Sequence, residues 1–164
     1  MVLERTERPA HRRGAGGCTF GAVKPRVVFV CSGNICRSPM AEAMARQLER
    51  RYGDGVEFSS AGTHAIDGTA ATPQAAAAAG ELGLALRWHR ARRLTDEVVE
   101  SADLLVALDD EHLEFIAQRW PDAVVELLDS VPDPYGMDDA TYRRARDQIG
   151  RALGRRAGNW FSAG

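Results

Sequence analysis

The pattern of this 164-residue chain predicts a single-domain α/β protein: a doubly wound, four-stranded parallel sheet in three layers, with helices on both faces. Three observations carry the prediction. Short runs of β-forming apolar residues alternate along the chain with longer segments of helical spacing. The first run, Val27-Val28-Phe29-Val30, is apolar throughout rather than at every second residue, which marks a strand buried on both faces. The helical segments open on Ser, Thr or Asp and several stop at Gly. A β-α-β-α order of this kind implies a parallel sheet covered by helices.

The elements follow in order. Residues 1–25 read as a disordered extension, with Arg12, Arg13, Gly14, Gly16 and Gly17 and no apolar periodicity. After the first strand, residues 31–37 form a polar loop containing Gly33 and Asn34. Ser38-Pro39 opens a helix with proline in its first turn, and Met40, Ala43, Met44, Gln47 and Leu48 carry it to Tyr52-Gly53. Residues 56–60 are the second strand. Thr72-Pro73 starts a helix that runs through an alanine stretch to about Leu82 and stops at Gly83. Thr95 opens a short helix through Val98 and Val99. Residues 103–108 contain the third strand, and Asp109 or Asp110 caps the helix bearing Leu113, Phe115 and Ile116. Residues 124–128 are the fourth strand and 138–153 the last helix. The domain is expected to span 26–158. Residues 159–164 form a short tail, in which Trp160 and Phe161 are able to dock.

Composition narrows the function. Hydrophobic residues make up 45% and charged residues 27%, a normal globular balance. A net charge of -2 argues against a nucleic-acid footprint. No apolar run approaches the ~20 residues needed to span a bilayer, and the N-terminus lacks a signal-peptide core. The expected compartment is the cytoplasm. The three cysteines, Cys18, Cys31 and Cys36, are odd in number and not spaced as a disulfide framework. Cys31 and Cys36 lack a second Cys/His pair to complete a metal tetrahedron, so neither metal nor cofactor is expected. Cys18, in a glycine-rich leader, reads as incidental.

The loop after the first strand holds the chemistry. It reads Val30-Cys31-Ser32-Gly33-Asn34-Ile35-Cys36-Arg37-Ser38-Pro39. Ligands of doubly wound sheets bind beyond the carboxyl ends of the strands. A short loop running into a helix turns backbone N–H groups inward, where the helix dipole also favours an anion. Gly33 and Asn34 tolerate the positive φ of such a nest. Arg37 can hold two phosphate oxygens with its planar fork. The field that attracts phosphate also favours a thiolate at Cys31, which can attack phosphorus in line. Cys-x5-Arg alone is better read as a buried strand-end cysteine. The Gly-Asn pair, the helix start and the preceding buried strand reverse that reading.

These residues resemble the low-molecular-weight protein-tyrosine phosphatases. The resemblance covers roughly residues 26–153. It rests on the run from Val30 to Glu42, on Ser60-Ala61-Gly62-Thr63 and on Pro132-Asp133-Pro134-Tyr135-Gly136. It implies the flavodoxin-like phosphatase I fold and hydrolysis of phosphorylated proteins, with no membrane partner. It implies that Cys31 is the nucleophile, Arg37 the phosphate clamp and Asp133 the general acid and later base. By itself Asp-Pro-Tyr-Gly is a turn. Tyr135 resembles the wall that packs on the substrate ring. Ser32, Gly33, Asn34, Ile35, Cys36 and Ser38 complete the phosphate loop, with Ser38 donating to the Cys31 thiolate. Asn34, Ser60 and His89 resemble the network that holds the loop in shape; the alternative for His89 is a surface position in a basic stretch. Cys36 matches the second loop cysteine, a reversible disulfide partner for Cys31.

Two related groups bear on the substrate. Thioredoxin-linked arsenate reductases need further cysteines downstream, and none follows Cys36. Bacterial protein-arginine phosphatases resemble the chain at 68–73, 94–97 and 100–103, yet carry threonine where this chain has Ile35. The tyrosine phosphatases' ring-packing tryptophan is absent, since the region reads His64-Ala65-Ile66-Asp67. The expected substrate is phosphotyrosine, with phosphoarginine the alternative. A phosphate-binding module without turnover is disfavoured because Cys31, Arg37 and Asp133 are all present.

Overall fold

A computed structural model of the chain describes residues 23–53 and 55–161. Most of the expected N-terminal extension, with Cys18, lies outside the described residues, as do 162–164. The elements are β1 (Arg26–Cys31), α1 (Arg37–Tyr52), β2 (Glu57–Gly62), α2 (Pro73–Gly80), α3 (Asp96–Ser101), β3 (Leu104–Ala107), α4 (Asp110–Arg119), β4 (Val125–Leu127) and α5 (Asp139–Phe161). The four strands form one sheet in the order β2-β1-β3-β4, and every pairing is parallel. This is the predicted doubly wound sheet.

β1 is central, and its side chains alternate between two apolar layers. Val27, Phe29 and Cys31 join the layer that includes Met40 and Ala41 of α1, Ala75 and Ala79 of α2, and Ile149 and Leu153 of α5. Val28 and Val30 join Leu105 and Ile116 on the other face, where Val98 and Val99 of α3 and Phe115 of α4 also pack. Burying both faces makes the whole of 27–30 apolar, since each fully buried Val or Phe contributes about 1.5–3 kcal/mol.

Thr72, Thr95 and Asp109 each accept a hydrogen bond from the third backbone amide after them and cap α2, α3 and α4. The expected cap of α4 is thereby narrowed to Asp109. α1 differs: Cys36 precedes it and provides no side-chain cap. α5 does not end near Leu153 before a tail but continues to Phe161. The cause is Trp160, whose ring packs 6.0 Å from Phe29 and 5.8 Å from Phe58, a contact that outweighs the weak helical preference of Gly154 and Gly158.

Strand order places the site. The chain leaves β1 towards β2 on one side, while β3 lies on the other, so the carboxyl ends of β1 and β3 flank the switch point. Cys31 ends β1, Asp109 follows β3, and Val131 and Asp133 follow β4.

Candidate active site

Residues 31–36 curl between β1 and α1. Asn34 has φ +54°, the one left-handed residue other than glycine among the described residues, and asparagine is among the few side chains that accept that conformation readily. Its side chain then dictates a chain of donors. The Arg92 amide can only donate, and it meets Asn34 Oδ1 at 2.9 Å. Nδ2 must therefore donate, and it does so to Ser38 Oγ at 2.8 Å and Ser60 Oγ at 3.0 Å. Both hydroxyls thus accept from Asn34. The Ser60 hydroxyl donates onward to Glu42 Oε2 at 2.5 Å, and Ser38 Oγ is hydrogen-bonded to Cys31 Sγ at 2.9 Å, an interaction in which Ser38 is the donor when Cys31 is a thiolate. The Asn34 carbonyl accepts from His89 Nε2 at 2.6 Å, so His89 carries its proton on that nitrogen. His89 is thus in the loop's support and not merely on the surface.

Gly62, at the end of β2, is required by close approach. A Cβ there would lie 2.5 Å from the Ser32 carbonyl and 2.9 Å from the Asn34 amide nitrogen. Both are backbone atoms of the loop, which cannot give way without moving the nest.

Arg37 is almost wholly buried. Its Nη1 donates to Asp109 Oδ2 at 2.7 Å and to the Val131 carbonyl at 3.0 Å. Its Nη2 lies 3.5 Å from Asp133 Oδ2. Burial alone would raise the Asp109 carboxyl, but the His112 amide and the Arg37 guanidinium outweigh it and hold it below its ordinary range. His112, also buried, bonds Ser32 Oγ through Nε2 at 2.9 Å. Its Nδ1 is 3.2 Å from Asp109 Oδ1, yet out of line for a hydrogen bond. Burial lowers His112 to about 4, so the ring is neutral at pH 7.

Cys36 is buried beside the cleft and against the core. Its Sγ lies 3.4 Å from Tyr142 Oη and 3.5 Å from Thr72 Oγ1. Burial pushes its thiol up, and burial pushes Tyr142 up to about 12. Cys36 is accordingly a thiol at neutral pH.

A cleft of about 240 Å³ opens over the loop, lined by Cys31, Gly33, Ile35 and Arg37 from below and by His64, Asp133 and Tyr135 around the rim. Asp133 is half exposed, and its Oδ1 accepts from the Tyr135 amide at 3.1 Å. Tyr135 is exposed, and the His64 ring packs 5.4 Å from Phe115. The uncapped first turn of α1 and the Arg37 guanidinium offer an anion site, with a sulfur at its base and a carboxylate at its edge. The chemistry open to such a cleft is attack by sulfur on a bound phosphoryl group, with proton transfer at the rim.

Of the residues singled out in the sequence, Cys31, Ser32, Gly33, Ile35, Cys36, Arg37, Asp133 and Tyr135 line this cleft, while Asn34, Ser38, Ser60 and His89 form the hydrogen-bond network behind the loop. Sequence reasoning missed Glu42, Arg92, His112 and Tyr142, and it saw Asp109 and Thr72 only as helix caps. A cap needs one carboxylate oxygen; nothing in the local pattern assigns the second oxygen of Asp109 to Arg37.

A family model described as low molecular weight phosphotyrosine protein phosphatase matches residues 26–158. The chain is 39% identical over 137 residues to a protein-arginine-phosphatase of Bacillus subtilis, covering 77% of this chain and 91% of that one. It is 31% identical over 134 residues to the low molecular weight protein-tyrosine-phosphatase Etp of Escherichia coli, covering 77% and 88%. It superposes on a crystal structure of a YwlE mutant from Bacillus subtilis with TM-score 0.78 and 35% identity, covering 83% and 98%.

Proposed function

The chain belongs to the low molecular weight phosphotyrosine protein phosphatase family, and from that premise we propose that it hydrolyses phosphotyrosine in proteins through a phosphate ester of Cys31. It is a cysteine-dependent phosphoprotein phosphatase. In the proposed reaction the Cys31 thiolate attacks phosphorus while the loop amides and Arg37 hold the three equatorial oxygens. The phosphorus–oxygen bond to the leaving group breaks, and Asp133 passes its proton to the departing oxygen. The Asp133 carboxylate next takes a proton from water, whose oxygen attacks phosphorus and releases the thiolate and inorganic phosphate. Ser38, with its proton on Cys31 Sγ, stabilises that thiolate both before attack and after release. Asn34, Ser60 and His89 hold the loop that orients it.

The observation that carries this reading is the meeting of Cys31, Arg37 and Asp133 in one cleft, with Asp133 held at 3.5 Å from the guanidinium that would bind phosphate. A carboxylate there stands beside the phosphoryl group and still reaches solvent. No helix among the described residues is long and apolar enough to cross a membrane, and the proposed compartment is the cytoplasm, which keeps thiols reduced.

Phosphotyrosine is preferred to other esters because the wall beside Cys31 is Ile35, with Tyr135 across the cleft. Both offer apolar surface to an aromatic ring, and Ile35 offers no hydrogen bond to a guanidinium. The second reading is phosphoarginine, favoured by the 39% identity to a protein-arginine-phosphatase. The deciding measurement is kcat/KM on peptides of identical sequence bearing either phosphorylated residue. The first reading expects the phosphotyrosine peptide to be favoured at least tenfold; a preference for phosphoarginine replaces it with the second.

A further inference from the structure

A second cavity is larger than the catalytic cleft. A groove of about 550 Å³ lies between α1 and the 83–92 segment, behind the phosphate loop, and Arg46, Arg50, Arg90, Arg92, Glu42 and Trp88 line it. We propose that this groove docks an acidic peptide segment of the phosphoprotein substrate. The proposal rests on the phosphatase reading above and adds a class of substrate to it.

Charge is the first ground. The groove gathers four guanidinium groups against the single carboxylate of Glu42, in a chain whose net charge is -2. Three of the four are anchored mainly by neutral acceptors. Arg46 donates through Nε and Nη2 to the Phe58 carbonyl at 3.3 and 3.1 Å. Arg92 donates to the Ser60 carbonyl at 2.9 Å and to Ser59 Oγ at 3.0 Å. Arg90 donates to the carbonyls of Arg87 and His89 at 3.2 and 2.7 Å. A carbonyl orients a guanidinium without cancelling its charge, so these forks are held in place with charge to spare. Glu42 meets Arg46 Nη2 at 2.7 Å, but it also accepts from Ser60. The Arg50 side chain has no ion pair or hydrogen bond among the described residues.

The second ground is Trp88, a residue 79% exposed. Arg87 sits over its ring at 5.3 Å. An exposed indole beside preorganised arginines combines the two residue types that anchor protein interfaces best. The third ground is need: the catalytic cleft, at about 240 Å³, has room for a phosphorylated side chain but little of the chain that bears it. The groove backs directly on the loop, since Arg92 and His89 bind Asn34.

The test uses the full chain and the double variant Arg50→Glu, Arg90→Glu, two exposed positions outside the catalytic cleft. Binding of an unphosphorylated, fluorophore-labelled hexaglutamate peptide is read by anisotropy. In parallel, kcat/KM is measured on a phosphotyrosine peptide with a glutamate-rich flank, on the same peptide with a glutamine-rich flank, and on a small aryl phosphate. Wild type should bind hexaglutamate and prefer the acidic flank, and both effects should fade as salt shortens the Debye length. The variant should lose roughly tenfold or more of both, as reversal of two interfacial charges implies, with small-substrate turnover unchanged. Equal binding by variant and wild type, or the same loss on both flanks, overturns the docking site. Absent turnover of the small aryl phosphate by wild type would count instead against the phosphatase reading.

Discussion

Replacing Asp109 separates two tasks that one carboxylate performs. Its Oδ2 accepts from the buried Arg37 at 2.7 Å, and its Oδ1 accepts from the His112 amide at 3.0 Å, capping α4. Asp109→Asn keeps an oxygen for the cap and removes the charge; Asp109→Ala removes both. Stripping one partner from a fully buried ion pair costs about 3–5 kcal/mol. The Arg37 side chain is 3% exposed but that of Asp109 is 23%, so water screens the pair on one side. Arg37 also retains the Val131 carbonyl. The expected loss for Asp109→Asn is therefore roughly 1.5–3 kcal/mol, and Asp109→Ala should lose about 1 kcal/mol more through the missing cap. Urea unfolding at pH 7, with unchanged m-values, measures both. The pH dependence follows from the depressed Asp109 carboxyl. A carboxyl lowered by folding stabilises fully above its unfolded pKa, about 3.9, and that contribution is lost as pH falls through the lower folded value. The gap between wild type and Asp109→Asn should thus hold steady from neutral pH to about 5 and close in more acid solution. A gap that widens on acidification, or two variants within about 0.5 kcal/mol of wild type, would refute a charge-based anchor for Arg37.

Three further outcomes are expected. Asp133→Ala should slow substrates with basic leaving groups by about 10²–10⁴-fold while sparing those with acidic ones; equal losses across a series of aryl phosphates would remove Asp133 from proton transfer. Gly62→Ala, whose Cβ meets loop backbone at 2.5 Å, should cost about 1–3 kcal/mol in thermal unfolding and weaken orthovanadate inhibition at least tenfold. Gly150→Ala meets only the flexible end of Met44 and should leave that inhibition intact. Ile35→Thr keeps a β-branched side chain and adds a hydroxyl to the cleft wall, so the ratio of kcat/KM on phosphoarginine to phosphotyrosine peptides should rise; an unchanged ratio would place the selectivity at Tyr135 or His64.

The order of the elements was legible because it depends on local signals. Continuous apolar runs marked β1 and β3, and Thr72-Pro73 and Thr95 marked helix starts; α2 ends at Gly80, short of the expected stop at Gly83, and residues 81–83 turn the chain with Gly83 at positive φ. The loop was legible because anion binding needs contiguous backbone amides, so Cys31, Asn34 and Arg37 lie close together in sequence. Supporting contacts from distant segments were harder to see. The bond from Ser32 to His112 and that from Arg92 to Asn34 join positions that only the sheet order brings together, and His112 reads locally as one polar residue in a helix. The end of α5 was missed for a related reason. Gly154 and Gly158 lower helical propensity, and the contact of Trp160 with Phe29 and Phe58 that overrides them is tertiary.

The covalent role of Cys31 is tested most directly by rapid acid quench of the wild-type enzyme during turnover of a phosphotyrosine peptide, followed by peptide mass spectrometry. The proposed mechanism predicts a phosphoryl group on the peptide containing Cys31, formed and lost at rates that match turnover, and absent from a Cys31→Ala variant that no longer turns over. Steady turnover with no phosphorylated Cys31 at any quench time, or turnover retained in Cys31→Ala, would contradict it.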